Sequence, residues 1–208
     1  RVAFVSYREG DADLYVLDVE SAGARPELVV RAPGDQWLVR SQPGGEGLAF
    51  LDISGERVWV RLRDSEGRLR GVADLGAAHE HVWPHGVVWD ASGRVLLAAS
   101  GEPPNMVLWA YPVDGGAAER IVERSWVAHA AFDFSSGWGA IHSDRGLELL
   151  RRESGEVGWR SAGLMHFGGL RLARPALVAS SPRLAFSVNS RGVALGELAT
   201  RDARLLFL

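Results

Sequence analysis

The hydrophobic positions of the chain fall in short runs that alternate with polar turns. Residues 1–6 and 14–19 are rich in Val, Leu and aromatic side chains, and a polar turn over residues 8–13 separates them. Runs of this length, bounded by Gly, Pro, Asp and Ser, recur about every eight to twelve residues, which is typical of a sandwich, barrel or propeller. No segment keeps a helical hydrophobic period over three turns. The pattern therefore predicts an all-β protein.

The hairpin at residues 1–20 recurs four more times along the chain. Its counterparts are GLAFLDISGERVWVRLRD, RVLLAASGEPPNMVLWAYPVD, WGAIHSDRGLELLRRE and RLAFSVNSRGVALGELA. A supersecondary unit that recurs at roughly 40 to 50 residues is typical of a propeller or a solenoid. The chain is therefore interpreted as a repeat protein, whose functional site lies where the repeats converge.

A further strand precedes each hairpin except the first. These strands are predicted over residues 37–42, 86–90, 128–134 and 174–180. Arg40, His129 and Arg174 lie on these strands and His85 directly precedes one, at spacings of 45, 44 and 45 residues, which predicts that the four residues lie near one end of a channel. Propellers arrange four-stranded blades around a central channel. The sequence therefore predicts a five-bladed β-propeller of four-stranded antiparallel blades, as a single domain over residues 1–208.

Two segments share a ten-residue frame. They are Ser41 to Phe50 (SQPGGEGLAF) and Trp89 to Ala98 (WDASGRVLLA). This frame resembles the repeat of TolB-type, WD-repeat-like propellers, whose blades read roughly W-S-P-D-G-K-R-I-A-F before a hairpin that ends in I-Y-V-M-D. The LYVLD at residues 14–18 is similar to that ending. The resemblance implies a TolB-like propeller and an extracytoplasmic location, and it is compatible with import scaffolds, peptidase gating domains and polysaccharide lyases.

The first blade lacks a predicted innermost strand. Residues 1–6, 14–19 and 27–31 supply its three outer strands, and the segment ARLLFL at residues 203–208 is predicted as the outermost strand of the fifth blade. An unfilled strand position would leave a ladder edge exposed, which proteins normally avoid. We therefore expect the sequence to be a processed or shortened form of a longer chain.

Composition excludes several kinds of function. The basic residues, all arginine, number 23 against 26 acidic residues, and the net charge of −3 gives nucleic acid or an anionic membrane little to bind. The chain has no cysteine and no lysine, which removes thiolate and Schiff-base chemistry. It also has no G-x-S-x-G motif and no apolar run of ~18 residues that would predict a membrane-spanning helix. We predict no cofactor.

Three tryptophans accompany the predicted channel residues. Trp37, Trp83 and Trp126 precede Arg40, His85 and His129 by three, two and three residues. Trp and Arg are the side chains that most often anchor interfaces. The leading hypothesis is a non-enzymatic scaffold that binds a protein or peptide partner at the channel mouth. Its predicted binding residues are Trp37, Arg40, Trp83, His85, Trp126, His129 and Arg174.

Other interpretations of these residues stay open. Trp37, Trp83 and Trp126 could instead cap the blade core, as Trp59, Trp89 and Trp109 are predicted to pack between blades.

An enzyme on the same face is the first alternative function. His79, His81 and His85 form H-x-H-x3-H, and imidazole is a good ligand for zinc or manganese. No metal site is predicted, because no third ligand is clearly placed beside His85 and His129. The only candidates to complete one are Asp35 and Glu80. A glycosidase could also use Asp35, Glu80 and Asp133. A metal- or carboxylate-dependent carbohydrate-active enzyme, lyase or glycosidase, and a gating module of a larger protein are therefore the alternatives.

Overall fold

The computed structural model describes residues 1–77, 87–165, 172–177, 183–188, 192–198 and 203–206. In this part the chain forms nineteen strands in five antiparallel sheets and contains no helix. Accordingly, no helix among the described residues is long and apolar enough to cross a membrane.

The first three sheets hold β1 to β11. The first sheet consists of β1 (Val2–Ser6), β2 (Asp13–Leu17) and β3 (Glu27–Val30). The second consists of β4 (Asp35–Ser41), β5 (Leu48–Ser54), β6 (Arg57–Arg63) and β7 (Leu69–Ala77). The third consists of β8 (Val87–Trp89), β9 (Val95–Ser100), β10 (Met106–Pro112) and β11 (Glu119–Arg124).

The last two sheets hold β12 to β19. The fourth sheet consists of β12 (Val127–Asp133), β13 (Trp138–Ser143), β14 (Gly146–Arg151) and β15 (Arg160–Leu164). The fifth consists of β16 (Leu172–Leu177), β17 (Arg183–Val188), β18 (Gly192–Glu197) and β19 (Ala203–Leu206). Within every sheet the strands pair in chain order.

These sheets are the blades of a propeller. The extensive contacts between sheets join each blade to the next along the chain, mostly through the innermost strands β4, β8, β12 and β16. Among the described residues, no comparably extensive contact joins the first blade to the fifth. The predicted β-propeller of four-stranded antiparallel blades with a three-stranded first blade is confirmed, and the described residues form five blades. The segment from residue 203 is also confirmed as a paired outermost strand, because Ala203 pairs with Gly196.

Apolar side chains from neighbouring blades form the cores. Val60 and Leu96 share a buried cluster of the second and third blades, and Met106 and Phe132 share one of the third and fourth. Strand alternation produces this arrangement, since every second residue of a strand points to the same side of its sheet. The stability of the fold therefore rests mainly on contacts between adjacent blades, as in other repeat proteins.

The turn between β8 and β9 shows how the sequence sets the spacing of adjacent blades. The buried carboxylate of Asp90 accepts hydrogen bonds from the backbone N–H groups of Ser92, Arg94 and Val95 at 3.2, 3.0 and 2.9 Å. Gly93 in this turn has a φ of 70°, and a Cβ there would lie 2.7 Å from the Pro43 carbonyl oxygen of the second blade. Glycine is required by both the backbone conformation and this close approach.

The innermost strands contain bulges that shift their pairing. On β4 the pair Trp37–Leu51 is followed by Arg40–Ala49, so that one extra residue lies opposite Phe50. Leu38 in this bulge has a φ of 53°. This left-handed backbone conformation is strained for a residue with a bulky side chain such as leucine. β12 and β16 carry bulges as well.

The strand pairing gives the levels of Arg40 and His129 along their strands. The turn between β4 and β5 is closed by a hydrogen bond between Gln42 and Gly47. Counted from that pair, Arg40–Ala49 is the second residue pair along the ladder. In the fourth blade, the pair Asp133–Trp138 flanks the corresponding turn between β12 and β13. Counted from it, His129–His142 is the fourth residue pair along the ladder. His129 therefore lies at the level of Trp37.

Arg40 and His129 thus lie at different levels of their strands. Two ladder positions correspond to about 7 Å along a strand. The even spacing in sequence is misleading because bulges and unequal loops change the number of residues between equivalent positions.

Candidate functional site

The channel-mouth face is the end of the blades where the chain enters each innermost strand. Strands of an antiparallel meander alternate in direction, so the turns between second and third strands lie at this same end. Five described aromatic and imidazole side chains lie there. They are Tyr7, Trp37, Trp126, His129 and His142.

In the fourth blade, three rings of this face contact one another. His129 and His142 are directly opposite on β12 and β13, with parallel rings whose centroids are 6.2 Å apart. The rings of Trp126 and His142 are nearly perpendicular in an edge-to-face arrangement, and their centroids are 5.2 Å apart. Trp126 is half-buried and packs against the core of the third and fourth blades. One side of this cluster is therefore fixed by the core, while part of it remains accessible.

Burial favours the uncharged form of His142. Loss of hydration disfavours the imidazolium form and lowers the pKa of His142 below its usual value. Its Nδ1 atom is buried without a hydrogen-bond partner. The cluster therefore presents aromatic and neutral imidazole surface, which suits contact with apolar and hydrogen-bonding groups.

Trp37 of the second blade forms a smaller aromatic pair with Tyr7. Its ring meets that of Tyr7 nearly at right angles, with centroids 6.2 Å apart. Tyr7 is 54% exposed, whereas Trp37 is half-buried and packs against the core of the second and third blades. Loss of hydration, with a smaller effect of the Asp35 charge, raises the pKa of Tyr7. Tyr7 is thus a neutral, accessible ring beside the predicted anchor Trp37.

Arg40 lies outside this aromatic face. Its side chain is exposed, and Nη1 donates a hydrogen bond to the Val39 carbonyl at 3.1 Å. Its own carbonyl accepts a hydrogen bond from Trp89 Nε1 at 3.1 Å. The backbone carbonyl of Arg40 therefore joins the second and third blades, while its side chain contacts its own strand.

The remaining predicted binding residues are described only in part or not at all. Arg174 lies on β16, within the bulge between Ala173 and Ala176, and its side chain is outside the described part. Trp83 and His85 lie outside the described residues, as do His79, His81 and Glu80.

Two carboxylates considered for catalysis have structural contacts. Asp35 Oδ1 accepts a hydrogen bond from the backbone N–H of Ala12 at 3.1 Å, which joins the first two blades. Asp133 Oδ1 accepts hydrogen bonds from the backbone and hydroxyl of Ser135 at 3.0 and 2.5 Å. Within the described ranges, no group of three or more His, Asp or Glu side chains is placed to hold a metal ion.

The other tryptophans differ in burial. Trp89 is buried between blades, as predicted. Trp59 and Trp109 are only half-buried. The guanidinium groups of Arg57 and Arg61 lie 6.0 and 5.8 Å from the Trp59 ring centre, whereas Trp109 Nε1 donates to the Ser100 hydroxyl at 3.1 Å. These two residues pack on sheet surfaces rather than deep between blades.

Sequence reasoning missed His142. It lies one residue before the last residue of β13, and its position opposite His129 follows from the uninterrupted pairing that starts with Asp133 and Trp138 beside the turn. Alignment of the two strands from their connecting turn, rather than by the spacing of equivalent residues, would have paired it with His129.

No family model and no curated protein matches the chain. Solved structures do match it in fold. TolB from Acinetobacter baumannii is 16% identical with a TM-score of 0.69, over 98% of this chain and 52% of that one. The fold is a TolB-like β-propeller. The chain thus spans about half the length of that TolB chain.

Two further structures show the range of proteins that share the fold. An oligogalacturonate lyase in complex with manganese is 14% identical with a TM-score of 0.72, over 99% of this chain and 61% of the lyase. A nidogen/laminin complex contains a chain that is 14% identical with a TM-score of 0.63, over 95% of this chain and 72% of that one. These identities establish the TolB-like fold alone, because unrelated functions share propeller folds.

Proposed function

We propose that the chain is a non-enzymatic binding scaffold, which recognises a protein or peptide partner at the channel-mouth face. The observation that supports this most is the state of Trp37 and Trp126, each half-buried and backed by a core cluster. A ring held from behind loses little conformational freedom when its exposed part binds, and such aromatic side chains often dominate binding energy.

The neighbours of these anchors favour an uncharged contact surface. His142 and Tyr7 have their pKa values displaced toward the neutral forms. Neutral imidazole and phenol groups both donate and accept hydrogen bonds. The proposed partner segment therefore combines apolar side chains with backbone or amide polar groups. Trp83 and His85 belong to the same proposal, because they come shortly before β8 in the sequence, as Trp126 comes before β12. Arg40 and Arg174 would border the site.

Replacement of Trp126 by alanine tests this proposal. A binding anchor typically contributes about 2 kcal/mol or more, so affinity for a partner recovered by cross-linking and affinity capture should fall roughly thirtyfold. Trp59→Ala is the matched control, because Trp59 is also half-buried but lies on β6. It should leave affinity unchanged. The proposal fails if the two variants bind the partner equally well.

Thermal unfolding separates recognition from packing. Trp126→Ala should lower stability much less than Trp89→Ala, since removal of a buried Trp side chain costs about 3–5 kcal/mol. Trp89 is 7% exposed. An equally large loss in the two variants would assign Trp126 to the core, as the alternative interpretation of the sequence holds.

A carbohydrate-active enzyme is the second candidate. It is favoured by the fold shared with an oligogalacturonate lyase in complex with manganese and by the cross-strand imidazoles of His129 and His142. Elemental analysis of the purified protein, followed by titration with Mn²⁺, provides the test. Metal bound in a 1:1 ratio and lost in His129→Ala would support the enzyme. On the scaffold proposal, the wild type and this variant show the same weak response to Mn²⁺.

A further inference from the structure

Tyr7 is the most exposed of the five described rings of the channel-mouth face, and a carboxylate lies near it. Its side chain is 54% exposed, whereas the other four rings are half-buried. The negative charge of Asp35 contributes to the raised pKa of the Tyr7 phenol. The ring of Trp37 contacts Tyr7 nearly at right angles. Tyr7 thus combines an accessible aromatic ring with a nearby negative charge.

Asp35 differs from the buried carboxylates of the fold. Asp13, Asp52 and Glu148 are buried, and each pairs with an arginine of the chain. Asp35 is half-buried and accepts one hydrogen bond, from the backbone N–H of Ala12. Among the described residues, no basic side chain forms an ion pair with Asp35. A cation beside this carboxylate would therefore supply a charge that the described part of the chain does not.

Other aromatic rings of the chain already lie beneath a cation. The guanidinium of Arg151 lies 4.6 Å from the ring centre of Trp138. Such contacts are attractive because the face of an aromatic ring carries partial negative charge. Arg8, which follows Tyr7 in the sequence, lies 5.7 Å from the ring centre of Tyr15 instead. Within the part of the chain that the structure describes, no arginine lies over Tyr7.

We propose that Tyr7 and Asp35 bind an ammonium or guanidinium side chain of the partner, while Trp37 holds the Tyr7 ring in place. The cation lies on the accessible face of Tyr7, and the Asp35 carboxylate balances its charge. The aromatic face and the carboxylate both attract a cation, so their contributions act in the same direction. This inference rests on the proposed function, because it adds one cationic side chain to the apolar and amide groups of the partner segment.

Choline chloride is the first probe, and NMR shifts of the Tyr7 and Trp37 ring protons are the measurement. The neutral compound 3,3-dimethylbutan-1-ol has nearly the same shape as choline without its charge, so the two compounds separate charge from apolar contact. Choline should bind roughly tenfold more tightly than the alcohol. Equal affinities would show that the rings bind apolar groups irrespective of charge, and would overturn the proposal.

Variants of the two proposed contacts test each one separately. Tyr7→Leu removes the aromatic face, and Asp35→Asn removes the charge while keeping an oxygen that accepts from the Ala12 N–H. Each should weaken choline binding roughly three- to fivefold. Tyr7→Phe should keep most of the affinity, because phenylalanine also presents an aromatic face. Asp11→Asn is the matched control, since Asp11 is an exposed acid of the neighbouring turn, and it should leave binding unchanged.

A second titration tests whether the cation belongs to a protein. Tripeptides of sequence Gly-Lys-Gly and Gly-Arg-Gly, with both ends capped, should shift the Tyr7 ring protons and compete with choline. The capped neutral peptide Gly-Gln-Gly should do neither. Binding of choline without a response to either cationic peptide would assign the site to a free quaternary ammonium compound, and the proposal of a partner side chain would be wrong.

Trp126→Ala keeps this test distinct from that of the scaffold function. Trp126 packs in the core of the third and fourth blades, so its loss should leave choline binding unchanged while it weakens the captured partner. Loss of partner affinity in Trp126→Ala, with no choline binding in the wild type, would leave the scaffold function in place and overturn the cation site. The reverse pattern would support the cation site and contradict the proposed role of Trp126.

Discussion

Glu148 is the most completely buried ion-pair partner among the described residues, with a fully buried side chain on β14. Arg124 on β11 of the neighbouring blade donates to both of its carboxylate oxygens, at 2.6 and 2.9 Å. Burial acts to raise the pKa of Glu148, but hydrogen bonds from Arg124 and Ser161 outweigh it and hold the pKa below its usual value. The pair thus joins the third and fourth blades through a charge that water does not reach.

Removal of one partner should leave an uncompensated buried charge. Glu148→Ala is expected to lower the free energy of unfolding by about 3–5 kcal/mol, measured by chemical denaturation. Glu123→Ala is the control, because Glu123 pairs with Arg120 where the two side chains are about half exposed, and such pairs contribute about 1 kcal/mol or less. The double change Arg124→Met with Glu148→Leu should cost less than Glu148→Ala alone. Equal losses in Glu148→Ala and Glu123→Ala would contradict this assignment.

The lowered pKa of Glu148 also sets a pH dependence. A carboxyl group with a lower pKa in the folded state stabilises the fold above its unfolded pKa of about 4.3, and this contribution is lost as the pH falls through the folded value. The difference in unfolding free energy between wild type and Glu148→Gln should therefore be constant above about pH 5. It should shrink in more acidic solution.

At the scale of elements, β19 offers a direct test of strand assignment. Ala203 and Leu205 on β19 pair with Gly196 and Ala194 on β18. Deletion of residues 203–208 removes these backbone hydrogen bonds and leaves β18 as the edge, so thermal unfolding should occur at a clearly lower temperature. Deletion of residues 207–208 alone, which keeps β19 complete, is the control. If both truncated chains unfolded at the wild-type temperature, β19 would not stabilise the fold.

Strands and their order followed from alternation and repetition, whereas their register did not. The apolar alternation of β6, with Val58, Val60 and Leu62 buried, predicts a strand wherever it occurs. No residue type in the sequence marks the bulge at Leu38. Its φ of 53° would be expected of glycine, so it follows from the packing around β4 rather than from the residue itself. Arg40, His129 and Arg174 consequently lie on the strands predicted for them, but nothing in the sequence indicates that Arg40 and His129 differ by two ladder positions.

The whole molecule is a row of blades in which each contacts its neighbours. Phe132 and Phe50 are both 1% exposed, but Phe132 belongs to the core of the third and fourth blades and Phe50 to that of the first and second. Their equal burial means that a change to alanine removes the same side chain from two distant interfaces. Each variant should lose about 3–5 kcal/mol of global stability.

The two variants should differ in where the structure opens. If blades are coupled mainly through their nearest interfaces, hydrogen exchange should accelerate most in β9 to β14 for Phe132→Ala and most in β1 to β6 for Phe50→Ala. Backbone amides of β1 to β3 should then change little in Phe132→Ala, because two interfaces separate them from the altered core. A uniform acceleration over all five blades in both variants would show instead that the propeller opens as one cooperative unit. In that case a ligand at the channel-mouth face would stabilise every blade equally.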